Sequence, residues 1–159
     1  MKKIKFSLES EIDKIIKVYN LNNDWNKAII KDIQKFKSKK IKKDSTSRKN
    51  LKKLSFVTID GEDAKDFDDA VYCERIEKNW KLYVAIADVA HYVENNSNID
   101  KEAKSRGTST YFPGYVIPML PEVLSNDLCS LKPNEDKLTV VAEMIINNNG
   151  DIKSYKFYN

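Results

Sequence analysis

The sequence predicts an α+β fold: an N-terminal helical segment followed by a mainly antiparallel sheet with short helices. Three observations carry this. Apolar residues recur at helical spacing between residues 8 and 38. From residue 54 the pattern changes to short apolar runs of the strand type. Two turn signals, Glu77-Lys-Asn-Trp80 and Asn147-Asn-Asn-Gly-Asp151, join successive runs as hairpins. A length of 159 residues suits one domain, or one domain with an arm.

The spacing predicts a first helix over 8–20, with Ile12, Ile15, Ile16 and Tyr19 on one face and Asn20 at its end. A second helix is predicted over 24–38, with Trp25, Ala28, Ile29, Ile33 and Phe36 on its face. Residues 39–50 are polar and without period, and read as a linker or exposed loop. The strands then follow in order: 54–60, 70–76 and 81–88. Residues 98–106 fit a short helix that stops at Gly107. Pro113, Gly114, Pro118 and Pro121 punctuate an extended stretch. Pro121–Leu128 fits a short helix with proline at its first position. Residues 138–146 and 152–158 are the last two strands. The chain therefore divides into a basic helical segment with linker, 1–53, and a strand-rich unit, 54–159.

Charge is unevenly placed. Residues 1–55 hold 17 of the 28 Lys/Arg and 6 of the 24 Asp/Glu, giving +11 there and −7 in the rest. A basic arm before an acidic body suits contact with phosphate backbones, although a solvated lysine-rich surface explains the same composition. Cys73 and Cys129 are the only cysteines. They show neither metal-ligand spacing nor a disulfide framework, which points to a reducing, cytoplasmic setting. The basic start lacks an apolar core, so it is not a secretory signal. No apolar run approaches the ~20 residues that a membrane span needs.

The chemistry concentrates in Asp60-Gly-Glu-Asp-Ala-Lys-Asp-Phe-Asp-Asp69. Two carboxylates about 4 Å apart repel by roughly 4 kcal/mol at an effective dielectric of about 20. A fold that crowds them at a strand end usually holds a cation, and oxygen donors favour a hard one. A calcium loop of the helix-loop-helix type is excluded by position. Counting from Asp60, the fifth residue is Ala64, the sixth Lys65 and the twelfth Val71, where oxygen ligand, glycine and glutamate are needed. A merely solvated loop fits less well, because predicted strands bracket the run and Phe67 would pin its middle to a core. Glu62 and Asp63 read as solvent-facing acids. The remaining reading is metal-assisted phosphodiester cleavage.

Three blocks carry a family resemblance. Thr58–Val71 resembles the active-site motif of the ribonuclease II/ribonuclease R family of 3′→5′ exoribonucleases. Val84-Ala-Ile-Ala-Asp-Val-Ala-His-Tyr-Val93 and Thr110–Leu131 are similar to the next two blocks, in the family's order and spacing. Gly61 and the Asp-Phe-Asp-Asp ending favour the ribonuclease R branch. The resemblance implies hydrolysis of RNA, processively from a single-stranded 3′ end, to nucleoside 5′-monophosphates. It implies Mg²⁺, with Mn²⁺ as substitute, held by Asp60, Asp66 and Asp69, with Asp68 as metal ligand and catalytic residue. It also implies that Tyr111 stacks on the 3′-terminal base, a contact worth roughly 1–3 kcal/mol.

By itself, Tyr111 beside Pro113 also reads as an ordinary core or surface aromatic. Asp88 reads as a hydrogen-bonding strand end and His91 as structural. Met119 and Leu120 read as core, and Trp25 and Trp80 as packing residues. The resemblance covers an incomplete, N-terminal portion of the family's RNB-type catalytic domain. A C-terminal half supplied as a separate chain is the protein partner this implies. A catalytically inactive fragment with at most weak RNA binding is the alternative function.

Overall fold

The computed structural model describes residues 7–38 and 48–159. Helix α1 spans Leu8–Val18, with Glu9 and Glu11 in its first turn and Lys17 in its last. Each sign opposes the helix dipole favourably. Of the expected face only Ile12 is buried, while Ile15 and Tyr19 are exposed. Asn20 follows in the left-handed region, at φ 50. Helix α2 spans Lys27–Ser38, a later start than the spacing predicts. Asn26 decides that start. Its Oδ1 accepts from the N–H groups of Ala28 and Ile29, both at 3.0 Å, so it caps the helix. Ile29 is fully buried, and Trp25, Ile33 and Phe36 pack beside it. Ala28, expected on that face, is exposed instead. Of the linker reading for 39–50, all but 48–50 lies outside the described residues.

The strand-rich unit opens with β1 (Asp69–Ile76) and β2 (Asn79–Ala87), a hairpin that turns at Glu77 and Lys78. Then come α3 (Val89–Tyr92), α4 (Asn98–Arg106), β3 (Thr110–Phe112) and β4 (Tyr115–Ile117). A π-helical segment, Leu124–Leu128, closes with Cys129 N–H donating to the Leu124 carbonyl at 2.9 Å. Strands β5 (Thr139–Ile146) and β6 (Ile152–Tyr158) end the chain. The main sheet has the order β1-β2-β5-β6, antiparallel throughout, and β3-β4 form a separate two-stranded hairpin. Helices and antiparallel sheet together make the expected α+β fold.

One predicted strand does not form. Leu54–Asp60 makes a single antiparallel bridge, Val57 to Val71. Its backbone is engaged locally: Leu54 N–H donates to the Leu51 carbonyl and Phe56 N–H to that of Leu54. No ladder can grow from groups already bonded. Leu51, Leu54 and Phe56 instead fold over one sheet face, against Tyr83, Ala85 and Val141. A second core gathers Ile29, Ala87, Ile99, Leu124 and Cys129. On the opposite sheet face Trp80, Ile86, Val140, Tyr155 and Phe157 remain exposed. Among the described residues no helix is long and apolar enough to cross a membrane.

Candidate active site

The acidic loop enters the sheet at β1. Ala87 N–H donates to the Asp68 carbonyl at 2.9 Å, one rung beyond the Asp69–Ile86 pair. That rung fixes the backbone of Asp68 at the sheet end. Asp69 shares the face of Ile86, which is the open face, whereas Ala70 turns into the covered one.

Ser130 holds the loop from the other side. It is only 1% exposed. Its hydroxyl donates to the Lys65 carbonyl at 2.8 Å and accepts from Phe67 N–H at 3.1 Å. Leu131 N–H donates to the Phe67 carbonyl at 2.9 Å. Phe67 thus pins the middle of the loop through its backbone, whereas its half-buried ring belongs to neither core cluster. Asp66 and Asp68 flank this pin. Gly61 accepts from Ala64 N–H at 3.0 Å, so the exposed tip carrying Glu62 and Asp63 turns back on itself.

The electrostatics show which acids the fold brings together. Partial burial raises the Asp68 carboxyl above the usual aspartate value, and the charges of Asp66, Asp69 and Asp60 raise it further. The charges of the other three predicted aspartates thus reach Asp68. Among the described residues no three acidic, histidine or cysteine side chains converge into a ready-made metal cage. The donor set nonetheless fits a hard cation. Mg²⁺ takes one or two protein carboxylates and completes its shell with water and substrate phosphate. Asp60, Asp66 and Asp69 are the residues that would hold it beside Asp68.

Tyr111 lies apart from the loop, on β3, with 68% of its surface exposed. Asp88 is buried at the end of β2. It caps α3 by accepting from His91 N–H at 3.2 Å and pairs with Arg48 Nη2 at 2.6 Å. The His91 ring stands edge-on to Tyr92, 5.0 Å between centroids. Trp25 packs under Arg106, and Trp80, 41% exposed, lies against Arg75. Sequence reasoning assigned no role to Ser130 or Arg48. Ser130 sits inside the third resembling block, but nothing in its spacing announces a contact with residues 65 and 67.

The RNB domain family matches residues 48–159, most of the chain and the whole of the sheet and loop just described. The chain belongs to the RNB domain family. Ribonuclease R of Escherichia coli (strain K12) is 47% identical over 148 residues, covering 92% of this chain and 18% of that protein. Ribonuclease R of Mycoplasma genitalium is 54% identical over 112 residues, covering 70% and 15%. The solved Mycoplasma genitalium RNase R in complex with ribose methylated single-stranded RNA superposes with a TM-score of 0.87 at 42% identity, covering 95% of this chain and 24% of that one. The chain thus spans less than a quarter of each of these relatives and corresponds to a portion of the RNB domain.

Proposed function

We propose that this chain carries the aspartate loop of a 3′→5′ exoribonuclease that hydrolyses single-stranded RNA processively to nucleoside 5′-monophosphates. One observation carries the reading. In an RNB-family chain similar to ribonuclease R, the fold anchors a loop at a sheet end so that the charges of Asp66, Asp69 and Asp60 bear on the Asp68 carboxylate. Such repulsion is relieved by a bound cation. Asp60, Asp66 and Asp69 hold Mg²⁺, or Mn²⁺ in its place. When bound, the metal neutralises phosphate charge and lowers the pKa of its water. Asp68 joins Asp60, Asp66 and Asp69 as a metal ligand and orients the attacking water. Tyr111 stacks on the 3′-terminal base and sets the register of the chain end. A cytoplasmic setting completes this reading.

A second reading is a catalytically inactive fragment that retains weak RNA binding. It is favoured by the small share of the relatives that the chain spans and by the absence of three converging ligands among the described residues. One experiment separates the two. The chain is incubated with 3′-labelled RNA and Mg²⁺. Release of labelled mononucleotide is expected, with Asp68→Asn abolishing release while RNA binding persists. Turnover surviving in Asp68→Asn removes Asp68 from the chemistry. Binding without release by the parent chain establishes the second reading.

A further inference from the structure

Arg106, the last residue of α4, has a side chain only 5% exposed, and each of its nitrogens is engaged. Nε donates to Glu102 Oε1 at 3.0 Å, Nη1 to the Pro118 carbonyl at 2.9 Å and Nη2 to the Asp24 carbonyl at 2.9 Å. The guanidinium carbon lies 3.7 Å from the centre of the Trp25 ring. One side chain thereby joins three segments: α4, the exit of β4, and the stretch between α1 and α2. Burying a cation is costly unless every donor finds a partner, and an apolar side chain would fill the space without that cost. What the planar fork adds is direction, since three acceptors and a ring face are set in one geometry.

The segment so clamped is the β3-β4 hairpin, which stands outside the main sheet. Its other ties lead to the same place. Tyr115 Oη donates to Asn23 Oδ1, and Met119 N–H donates to Ser109 Oγ at 2.9 Å across the hairpin base. Tyr111 pairs directly with Val116, so the two side chains share a face of the hairpin. Val116 in turn lines a cleft with Asn23 and Trp25. Arg106 and Tyr115 thus tie the hairpin that carries Tyr111 to the N-terminal segment.

We infer that Arg106 is a positioning residue for RNA binding: it locks the hairpin to the segment preceding the RNB domain and so presents Tyr111 to the 3′-terminal base. The inference rests on the base contact proposed above. The probe is a single-stranded RNA with 2-aminopurine at its 3′ end, titrated with metal chelated so that nothing turns over. Stacking on Tyr111 quenches the probe, and Tyr111→Ala is expected to remove the quench and weaken binding on the order of tenfold. Arg106→Lys keeps the charge but not the fork, and Tyr115→Phe removes only the hydroxyl tie to Asn23. Both are expected to weaken binding and quench, by roughly three- to tenfold for Arg106→Lys, and to have no further effect in the Tyr111→Ala background. Hydrogen exchange of amides 110–117 is expected to quicken in Arg106→Lys while β2 and β5 stay protected.

Equal losses with and without Tyr111, or no loss from either clamp variant, overturn the inference. Unchanged hairpin exchange in Arg106→Lys overturns it whatever the RNA does. A quench that survives Tyr111→Ala instead refutes the base contact, and with it the link from Arg106 to RNA. Should Arg106→Lys fail to fold, Tyr115→Phe carries the same comparison in a milder form.

Discussion

Asp68 gives the loop an energetic signature independent of catalysis. Its carboxyl is raised by partial burial and by Asp66, Asp69 and Asp60. An acid whose folded value lies above its unfolded one binds more protons in the native state. Folding stability then falls as pH rises through that region, and the fold carries a repulsion at neutral pH. Removing the charge should relieve it. Asp68→Asn is therefore expected to melt at a higher temperature than the parent chain at neutral pH in chelator, with the gap narrowing as pH falls. A lower melting temperature would show that repulsion in the loop does not dominate. Ser130 is the complementary test, because it supports the loop without belonging to it. Ser130→Ala leaves Phe67 N–H and the Lys65 carbonyl without their partner. A cost of about 1–3 kcal/mol is expected in urea unfolding, together with faster exchange at the Phe67 amide. An unchanged midpoint would mean that the loop is anchored elsewhere.

At the scale of elements, the turns with special backbone geometry carry the sharpest expectations. In the β5-β6 turn, Asn147 Oδ1 accepts from the N–H groups of Asn149 and Asp151, and Gly150 N–H donates to the Asn147 carbonyl. Gly150 sits at φ 87, where a Cβ is strained although space around it is open. Gly150→Ala is expected to destabilise by about 1 kcal/mol in chemical denaturation. A neutral result would show that the turn relaxes freely. The elements legible in the sequence are those with local causes. The alternation of β1, β2, β5 and β6 and the turn residues between them are visible because each strand announces its own face. The false strand at 54–60 is apolar enough, but it makes only the Val57–Val71 bridge, Leu54 and Phe56 N–H are bonded locally, and the side chains of these two residues cover the sheet. Helix α3 went unseen because four residues have no period. It forms where Asp88 caps it and Arg48, 40 positions upstream, holds Asp88. The predicted helix at Pro121–Leu128 forms over residues 122–128, but its last five residues, Leu124–Leu128, are π-helical.

Over the whole molecule, Glu143 ties the sheet together by charge. It is buried on β5 and accepts from Tyr158 Oη at 2.7 Å, with Lys81 at 3.1 Å, Lys156 at 3.2 Å and Lys49 at 3.4 Å. Burial raises its carboxyl, but Tyr158, Lys81 and Lys156 outweigh burial and bring it down to about 2 from an ordinary 4.5. A depressed acid stabilises the fold above its unfolded value and loses that contribution as pH falls through the folded one. Stability is therefore expected to drop between about pH 4.5 and 2, with Glu143→Gln flattening that part of the curve in thermal melts. A curve of the same slope in Glu143→Gln would move the acid sensitivity to other carboxylates. The family and the α+β class were readable from the chain itself, because motif order and hydrophobic period are properties of neighbouring residues. Only the tertiary structure decided how the loop is held and which way its acids face. Ser130 reaches residues 63 and 65 positions away, Arg106 reaches Asp24 across 82, and the pairing of β1 with β2 turns Asp69 onto the open side of the sheet. Contacts of that range depend on chain closure, and no spacing along the sequence encodes them locally.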